Sequence, residues 1–215
     1  LGGSATYFSA AAGLLCCPQV IAVLGEDFDR SQLDFLVERG VDLSTVYTKK
    51  GKTFHWQGTY GEELGEATTL RTDLNVFADF EPQLNDNQKD CDFLFLANIL
   101  PALQLKVVEQ SRAKFVAADT MNLWINTERE DLMKVLSKIN LLVLNEAEAQ
   151  LLSGEKAIVA AAKKIRAVAN VADTFDQPRT RSFVDLLGKR AQIAVCRVDR
   201  CKMNQLHRFF HLFEF

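Results

Sequence analysis

The sequence has little of the residues that mark fibrous, disulfide-rich or disordered proteins. Its 215 residues include only 4 prolines and 11 glycines, which excludes a collagen-like or low-complexity chain. The 5 cysteines are odd in number and scattered along the chain, so we expect no disulfide framework and a cytoplasmic location. With 48% hydrophobic residues and a net charge of -3, the chain has the composition of a folded protein.

The sequence also lacks an excess of one charge and a long apolar run. Lys+Arg 25 against Asp+Glu 28 leaves no basic field for a nucleic acid, so we expect no nucleic-acid partner. No stretch approaches the ~20 apolar residues that span a bilayer, and we expect no membrane association. The apolar first 25 residues lack a basic start and contain Pro18 and Gln19, which argues against a signal peptide. Because the chain starts at Leu1, we expect residues upstream of it.

Strand-like and helix-like segments alternate along the first 170 residues. This alternation predicts an α/β fold of three layers, in which a mainly parallel sheet is covered by helices on both faces. Pro101 is well placed to open one of the helices, and Gly154 to end another. The predicted strands are 19–24, 92–97, 115–118 and 141–144, and the predicted helices are 3–15, 28–39, 101–112, 128–138, 145–152 and 155–169.

Two regions depart from this alternation. Residues 45–49 and 53–60 are both strand-like and flank a turn at 50–52, which predicts a small β-lid over about 45–73. After residue 170 the balance of charge changes, from 17 basic and 23 acidic residues to 8 and 5. We therefore predict a domain over 1–170 and an atypical tail over 171–215.

The tail contains two cysteines and two histidines that suggest one alternative function. These four residue types can hold zinc, although the central spacer of five residues is shorter than the ~12 of the usual finger. The alternative is therefore a soluble scaffold whose tail binds zinc or a partner. The four candidate ligands are Cys196, Cys201, His207 and His211.

Polar side chains follow three of the predicted strands. Asn98, Asp119 and Asn145 each stand where a buried run ends, and ligands of open parallel sheets bind at the carboxyl ends of strands. Asn and Asp are also preferred helix N-caps, so capping accounts for each residue taken alone. Three such residues at successive strand ends favour a shared site.

The segment Asn145-Glu146-Ala147-Glu148 has two alternative interpretations. Asn145 and Glu148 are three residues apart at the start of a helix, where an amide and a carboxylate can organise Mg²⁺ beside a phosphate. The same spacing fits a capping box, with Glu148 at the third helical position. Neither the P-loop pattern nor G-x-G-x-x-G occurs, although Gly2-Gly3 before a helix would let backbone amides approach a ligand.

Taken in order, these segments resemble the ribokinase-like (PfkB) carbohydrate kinases. The resemblance covers about residues 1–168 and is fairly specific as an ordered set, although no single piece decides it. The matching pieces are GGSATY at 2–7, VIAVLGEDF at 20–28, GVDL at 40–43, KTFHW at 52–56, ANILP at 97–101, ADTMN at 118–122 and LNEAE at 144–148.

The resemblance implies a kinase that uses ATP and Mg²⁺ to phosphorylate a hydroxyl of a sugar or nucleoside. Gly2, Gly3 and Asn98 match substrate-binding positions of the family. Asn145, Glu148 and Asp119 match its network around phosphate and Mg²⁺. The resemblance also implies a homodimer formed through the lid as one possible assembly.

The sequence departs from the family in two segments. The family's first strand, with its substrate-binding Asp, would precede Leu1, and no Gly-Ala-Gly-Asp motif occurs after residue 168. That motif supplies phosphate-binding amides and the catalytic Asp, so no catalytic residue is assigned and we expect the chain as written to be inactive. A shift of reading frame near residues 166–172 would explain the change. The other alternative is a sugar-binding pseudokinase.

Overall fold

The computed structural model describes residues 1–60, 67–168 and 192–196, and these fall into two compact units. Residues Leu1–Gln83 belong to the first unit, and the second begins at Leu84. Each unit combines strands with helices, as the alternating pattern of the sequence predicts.

The first unit pairs β1 (Ala22–Gly25) with β2 (Val46–Lys49) in parallel and β3 (His55–Tyr60) with β4 (Ala67–Asp73) in an antiparallel hairpin. Val23 and Leu36 are almost fully buried in its core. The predicted helix over 28–39 begins instead as a 3₁₀ turn, because the Asp29 side chain accepts a hydrogen bond from the Ser31 amide. The elements are α1 (Ser4–Ala12), β1 (Ala22–Gly25), a 3₁₀ turn (Arg30–Leu33), α2 (Asp34–Glu38), β2 (Val46–Lys49), β3 (His55–Tyr60), β4 (Ala67–Asp73) and a second 3₁₀ turn (Asn75–Phe77).

The two strand-like runs of the predicted lid have different partners. Strand β2 aligns Val46 with Ala22 of β1, and the Thr45 hydroxyl donates to the Val20 carbonyl. Only β3 and β4 form the hairpin, which carries an irregularity between Gln57 and Gly58. The antiparallel ribbon therefore spans His55–Asp73, and the run at 45–49 belongs to the parallel pair because Val46 is buried beside β1.

The second unit is built on a four-stranded sheet. Its strands lie in the order β5 (Phe93–Leu96), β6 (Phe115–Asp119), β7 (Leu141–Asn145) and β8 (Gln192–Cys196). Strands β5, β6 and β7 are mutually parallel, and β8 is antiparallel to β7. Sequence reasoning did not predict β8. The elements are α3 (Asp86–Lys89), β5 (Phe93–Leu96), α4 (Pro101–Gln110), β6 (Phe115–Asp119), α5 (Asn122–Thr127), α6 (Arg129–Leu136), β7 (Leu141–Asn145), α7 (Glu146–Ser153), α8 (Ile158–Val168) and β8 (Gln192–Cys196).

The core of the second unit explains why its strands read as apolar runs. Ala118, Leu142 and Leu144 of the sheet pack with Val135 and Ile165 from two helices, and all five are at most 3% exposed. Strands buried in this way carry no alternation of polar and apolar residues. Burying each large aliphatic side chain contributes about 1.5–3 kcal/mol.

Local signals set the ends of two helices at the carboxyl edge of this sheet. Pro101 occupies the first turn of α4, where its fixed φ suits a helix and its missing amide costs nothing. Asn145 caps α7, and Gly154 ends it in the left-handed conformation at φ 75. The predicted bounds of both helices are confirmed to within two residues.

Candidate functional site

The structure brings Asn98, Asp119 and Asn145 to one edge of the second unit's sheet. Asp119 ends β6, Asn145 ends β7 and Asn98 lies two residues beyond the end of β5. The three strands are adjacent and parallel, so their carboxyl ends lie side by side. These three positions therefore lie at the carboxyl ends of neighbouring strands, and a shared binding site stays a prediction.

Asn98 is oriented by a buried tryptophan. Trp124, on α5, donates from its indole Nε1 to the Asn98 Oδ1 at 3.0 Å. Trp124 is 6% exposed and Asn98 is half-buried, so this hydrogen bond is partly shielded from water. Because an indole can only donate, the bond determines which end of the amide faces α5. Sequence reasoning missed Trp124, since its ring is typical of a core residue.

Gln104 holds the ends of β5 and β6 together. It lies on α4 at 2% exposure, and its Nε2 donates to the carbonyls of Leu96, Ala97 and Asp119 at 3.2, 2.9 and 3.1 Å. Sequence reasoning missed this residue as well. The available signal was a glutamine on the apolar side of a helix, one residue after Leu103.

Asn145 and Glu148 form a complete capping box. The Glu148 amide donates to the Asn145 Oδ1 at 2.8 Å, and the Asn145 amide donates to the Glu148 Oε2 at 2.9 Å. The capping interpretation of this segment is therefore confirmed. A role in binding Mg²⁺ or phosphate stays a prediction, and it requires the groups that the box leaves unused.

The environment of Glu148 shifts the equilibrium of its carboxyl toward the protonated form. Burial raises the pKa of Glu148 above its ordinary value, and the hydrogen bonds from Asn145 oppose that shift. A raised carboxyl pKa at the carboxyl edge of a sheet is a common feature of functional sites. A nearby cation would restore the charged form.

Gly2 and Gly3 lie at the start of the first unit. Gly3 precedes α1 with φ 94, and its carbonyl accepts from the amides of Thr6 and Tyr7 at 3.1 and 3.2 Å. A β-carbon added at Gly2 or Gly3 would meet no atom within 4 Å. Both glycines are exposed, so their backbone is open to a ligand. Asn98 belongs to the other unit, and substrate binding by the glycines stays a prediction.

A second polar cluster, also missed, anchors the base of the hairpin. The Thr53 amide and hydroxyl both donate to Asp27 Oδ1 at 2.8 Å, and the Gly25 amide donates to the Thr53 hydroxyl at 2.9 Å. Asn75 donates from Nδ2 to the Thr53 carbonyl at 2.8 Å. The Thr53 hydrogen bonds lower the pKa of Asp27. The two ends of the hairpin are thus tied to each other and to β1.

The candidate zinc ligands lie beyond the side chains that the structure describes. Cys201, His207 and His211 fall outside the described residues, and of Cys196 only the backbone in β8 is described. Within the described part, no three His, Cys, Asp or Glu side chains cluster in a way that would hold a metal ion. None of the described helices is long and apolar enough to cross a membrane.

Comparisons with known proteins agree with this architecture. The model of the pfkB family carbohydrate kinase matches residues 1–194, well past the 168 residues of the resemblance. A comparison with curated proteins finds no match.

Solved structures of several kinases share the fold. An adenosine kinase from Anopheles gambiae, solved with P1,P4-di(adenosine-5) tetraphosphate, has a TM-score of 0.60 at 16% identity, covering 77% of this chain and 56% of its own. The E. coli protein assigned as ribokinase II, in complex with ATP and Mg²⁺, has a TM-score of 0.59 at 17% identity, and the match covers 78% of this chain and 58% of that chain. Fructokinase from Xylella fastidiosa has a TM-score of 0.56 at 21% identity, and the match covers 77% of this chain and 57% of that chain.

The chain therefore spans less than two thirds of the length of each of these three structures. A family match over 194 of 215 residues, together with the parallel sheet and its polar carboxyl edge, assigns the fold and the family. The chain belongs to the pfkB family of carbohydrate kinases and has their ribokinase-like α/β fold.

Proposed function

We propose that this protein is, by its family, an ATP-dependent kinase whose intact form transfers the γ-phosphate to a hydroxyl of a sugar or nucleoside, and that the 215-residue chain binds these ligands without transferring phosphate. The observation that carries the proposal is the carboxyl edge of β5, β6 and β7, where Asn98, Asp119 and the capped start of α7 come together. The family match supports the same reaction class. Phosphoryl transfer depends mainly on positioning and charge neutralisation, which such an edge can supply.

The candidate residues divide between two roles. Gly2, Gly3 and Asn98 would bind the substrate, through exposed backbone amides and a side-chain amide. Asp119 and the Asn145–Glu148 box would serve the phosphate and its metal. The first turn of α7 adds the positive end of the helix dipole, which favours an anion.

The groups available at α7 fit a hydrated Mg²⁺. The capping box uses Oε2 of Glu148, and within the described residues no further hydrogen bond engages the other carboxylate oxygen. Mg²⁺ keeps several waters and is usually held by one or two carboxylates together with substrate phosphates. A half-buried carboxylate whose pKa is raised would gain from such a cation. When bound, Mg²⁺ would neutralise charge on the phosphates.

The relatives bind different substrates, so the substrate class stays broad. One is described as an adenosine kinase and another as a fructokinase, and their identities to this chain are similar. We therefore include adenosine, D-fructose and D-ribose as probes. A homodimer through the hairpin β3–β4 stays a prediction, as does the cytoplasmic location.

The 215 residues lack the Gly-Ala-Gly-Asp motif, so we expect binding without transfer. A general base within hydrogen-bond reach of the hydroxyl is needed to accept its proton. The alternative of a sugar-binding pseudokinase is favoured by the same absence. The two are separated by translating the coding DNA from codon 160 in all three frames. A Gly-Ala-Gly-Asp segment in another frame supports the kinase.

The test of binding uses the purified 215-residue chain. Calorimetric titration with adenosine, D-fructose, D-ribose and MgATP measures affinity, and a coupled assay measures ADP. We expect at least one sugar or nucleoside to bind, Asn98→Ala to abolish that binding, and no ADP to form. Lack of binding by every probe would overturn the proposal, and ADP production would overturn the expected inactivity.

A further inference from the structure

The pairing of β5 with β6 ends just before the candidate site residues. The last paired residues are Leu96 and Ala118, and the ladder does not include Ala97 and Asp119. The backbone ladder between the two strands does not continue beyond that point, and Asn98 follows two residues after Leu96 on the β5 side. Backbone carbonyls at such an opening need new partners if they are buried.

Gln104 supplies those partners from α4. Its Nε2 is within 3.2 Å of the carbonyl oxygens of Leu96, Ala97 and Asp119, so one amide group contacts both strands where they separate. Only the NH₂ end of the amide can donate, which assigns its orientation. A shorter or apolar side chain at this position would leave the carbonyls of Ala97 and Asp119 without this donor.

The other end of the same amide has no hydrogen-bond partner of its own among the described residues. The Gln104 Oε1 is buried and makes no hydrogen bond within the part of the chain that the structure describes. The Thr120 hydroxyl, next to Asp119, is also buried and without a partner among those residues. An unpaired buried polar atom costs free energy, so the Gln104 amide carries this cost together with its contacts to the three carbonyls.

We propose that Gln104 is a positioning residue for the carboxyl edge. By holding the carbonyls of Ala97 and Asp119 it sets where Asn98 and the Asp119 side chain stand, and it thereby sets the spacing of the substrate side from the phosphate side. The proposal rests on the proposed function for its effect on ligand binding. Its effect on the geometry of Asn98 is independent of that function.

The geometric effect has a direct reporter in Trp124. The sequence has 2 tryptophans, and both indoles donate hydrogen bonds. Trp124 donates to the Asn98 Oδ1 at 3.0 Å, and Trp56 donates to the Thr69 hydroxyl at 3.1 Å. Displacement of Asn98 would weaken only the first. In the full 215-residue chain, we expect Gln104→Met to shift the Trp124 indole N–H resonance upfield and speed its exchange, with the Trp56 resonance unchanged.

Gln88 provides a matched control. It is 6% exposed, and its Oε1 accepts from the Asn85 amide at 3.0 Å at the start of α3, which precedes β5. Gln88→Met therefore also removes a buried glutamine that bonds to backbone. We expect it to leave the Trp124 resonance unchanged. A Trp124 signal that is the same in wild type and Gln104→Met would overturn the proposal.

Ligand affinity separates positioning from a general loss of stability. With adenosine, D-fructose, D-ribose and MgATP as probes, we expect Gln104→Met to weaken the binding of the probe that wild type binds by about tenfold or more. Gln88→Met should match wild type. Equal affinities in Gln104→Met and wild type would overturn the positioning role of Gln104. Failure of wild type to bind any probe would instead overturn the proposed function, and the Trp124 resonance would then decide whether Gln104 positions Asn98.

A second variant keeps the test sharp where Gln104→Met does not fold. Gln104→Glu has a single O–H donor when protonated and none when ionised. Burial raises a carboxyl pKa, so we expect the Trp124 signal and probe affinity to move toward wild-type values as the pH is lowered from 8 toward about 5. A pH-independent Trp124 signal in this variant would overturn the proposal.

Discussion

Trp124 and Asn98 are joined by a hydrogen bond of 3.0 Å from the indole nitrogen to the side-chain carbonyl oxygen. Trp124 comes from α5, which follows β6, whereas Asn98 follows β5. The bond therefore links the connections beyond two neighbouring strands at the edge where ligands of such sheets bind. It gives Asn98 one amide orientation before any ligand arrives.

Trp124→Phe tests that orientation. The substitution keeps a large aromatic ring in the core and removes the only donor of the indole. We expect a loss of about 1 kcal/mol in the free energy of unfolding, as for other hydrogen bonds. We also expect weaker binding of the sugar or nucleoside probe, measured by calorimetry. Trp56→Phe in the hairpin is the control, and weakened binding there but not in Trp124→Phe would contradict the assignment.

The capping box at α7 predicts a difference between two asparagines. Asn145 with Glu148 and Asn85 with Gln88 are both complete boxes, and only the first is at the carboxyl edge. We expect Asn145→Ala and Asn85→Ala each to lower the free energy of unfolding by about 1 kcal/mol. Only Asn145→Ala should also weaken the binding of MgATP.

Asn145→Asp separates the cap from the site. Asp is as good an N-cap as Asn, so the stability should stay near that of wild type. The added negative charge should repel a phosphate and reduce MgATP affinity. Unchanged MgATP affinity in both Asn145 variants would show that the box is only a cap.

The raised pKa of Glu148 predicts how stability depends on pH. Because the folded-state pKa lies above the unfolded value, the folded protein binds more protons between the two values. The contribution of Glu148 to stability is therefore fully present below the unfolded pKa and is lost as pH rises through the folded pKa. Glu148→Gln should remove this dependence of stability on pH. Urea unfolding of the wild type and the variant between about pH 4 and 8 measures it.

Binding of Mg²⁺ near Glu148 would oppose this shift. A cation favours the ionised carboxylate, so MgATP should lower the Glu148 pKa in a carbon-detected NMR titration of the side chain. A Glu148 pKa that is the same with and without MgATP would contradict a role beside the metal.

Gly25 is required where β1 meets the base of the hairpin. A β-carbon on Gly25 would clash with the backbone carbonyl carbon of Lys52 and with the amide nitrogen of Thr53. We expect Gly25→Ala to lower the free energy of unfolding by about 1–3 kcal/mol, the usual cost of overpacking. Gly2→Ala, which would meet no atom within 4 Å, is the control for stability. Similar melting temperatures for the two variants would contradict the packing.

The sequence predicts β5, β6, β7, α4 and α7 of the second unit well, because these strands are short apolar runs and these two helices carry a first-turn proline or a capping box. It does not predict α3, α5 or β8. Asn145, Glu148 and Gly154 form such a signal, and the structure has both the box and the left-handed end. The pairing of β2 could not be read in the same way. A strand-like run next to a turn fits a hairpin as well as a crossover, and only the burial of Val46 beside β1 decides between them.

The candidate site could be predicted by position but not by its connections. Strand ends place Asn98, Asp119 and Asn145 at one edge, since parallel strands share a carboxyl edge. Gln104 and Trp124 escaped prediction because a polar or indole group within an apolar helical pattern does not identify its hydrogen-bond partner across the fold. Such contacts depend on packing that the residues on either side do not encode.

One measurement tests the central claim most directly. Amide chemical shifts of the labelled 215-residue chain are recorded during titration with adenosine, D-fructose, D-ribose and MgATP. We expect shifts at Asn98, Asp119 and residues 145–148, and none at the capping box of Asn85 and Gln88. Perturbations confined to the Asn85 box, or none with any probe, would contradict a ligand site at the carboxyl edge.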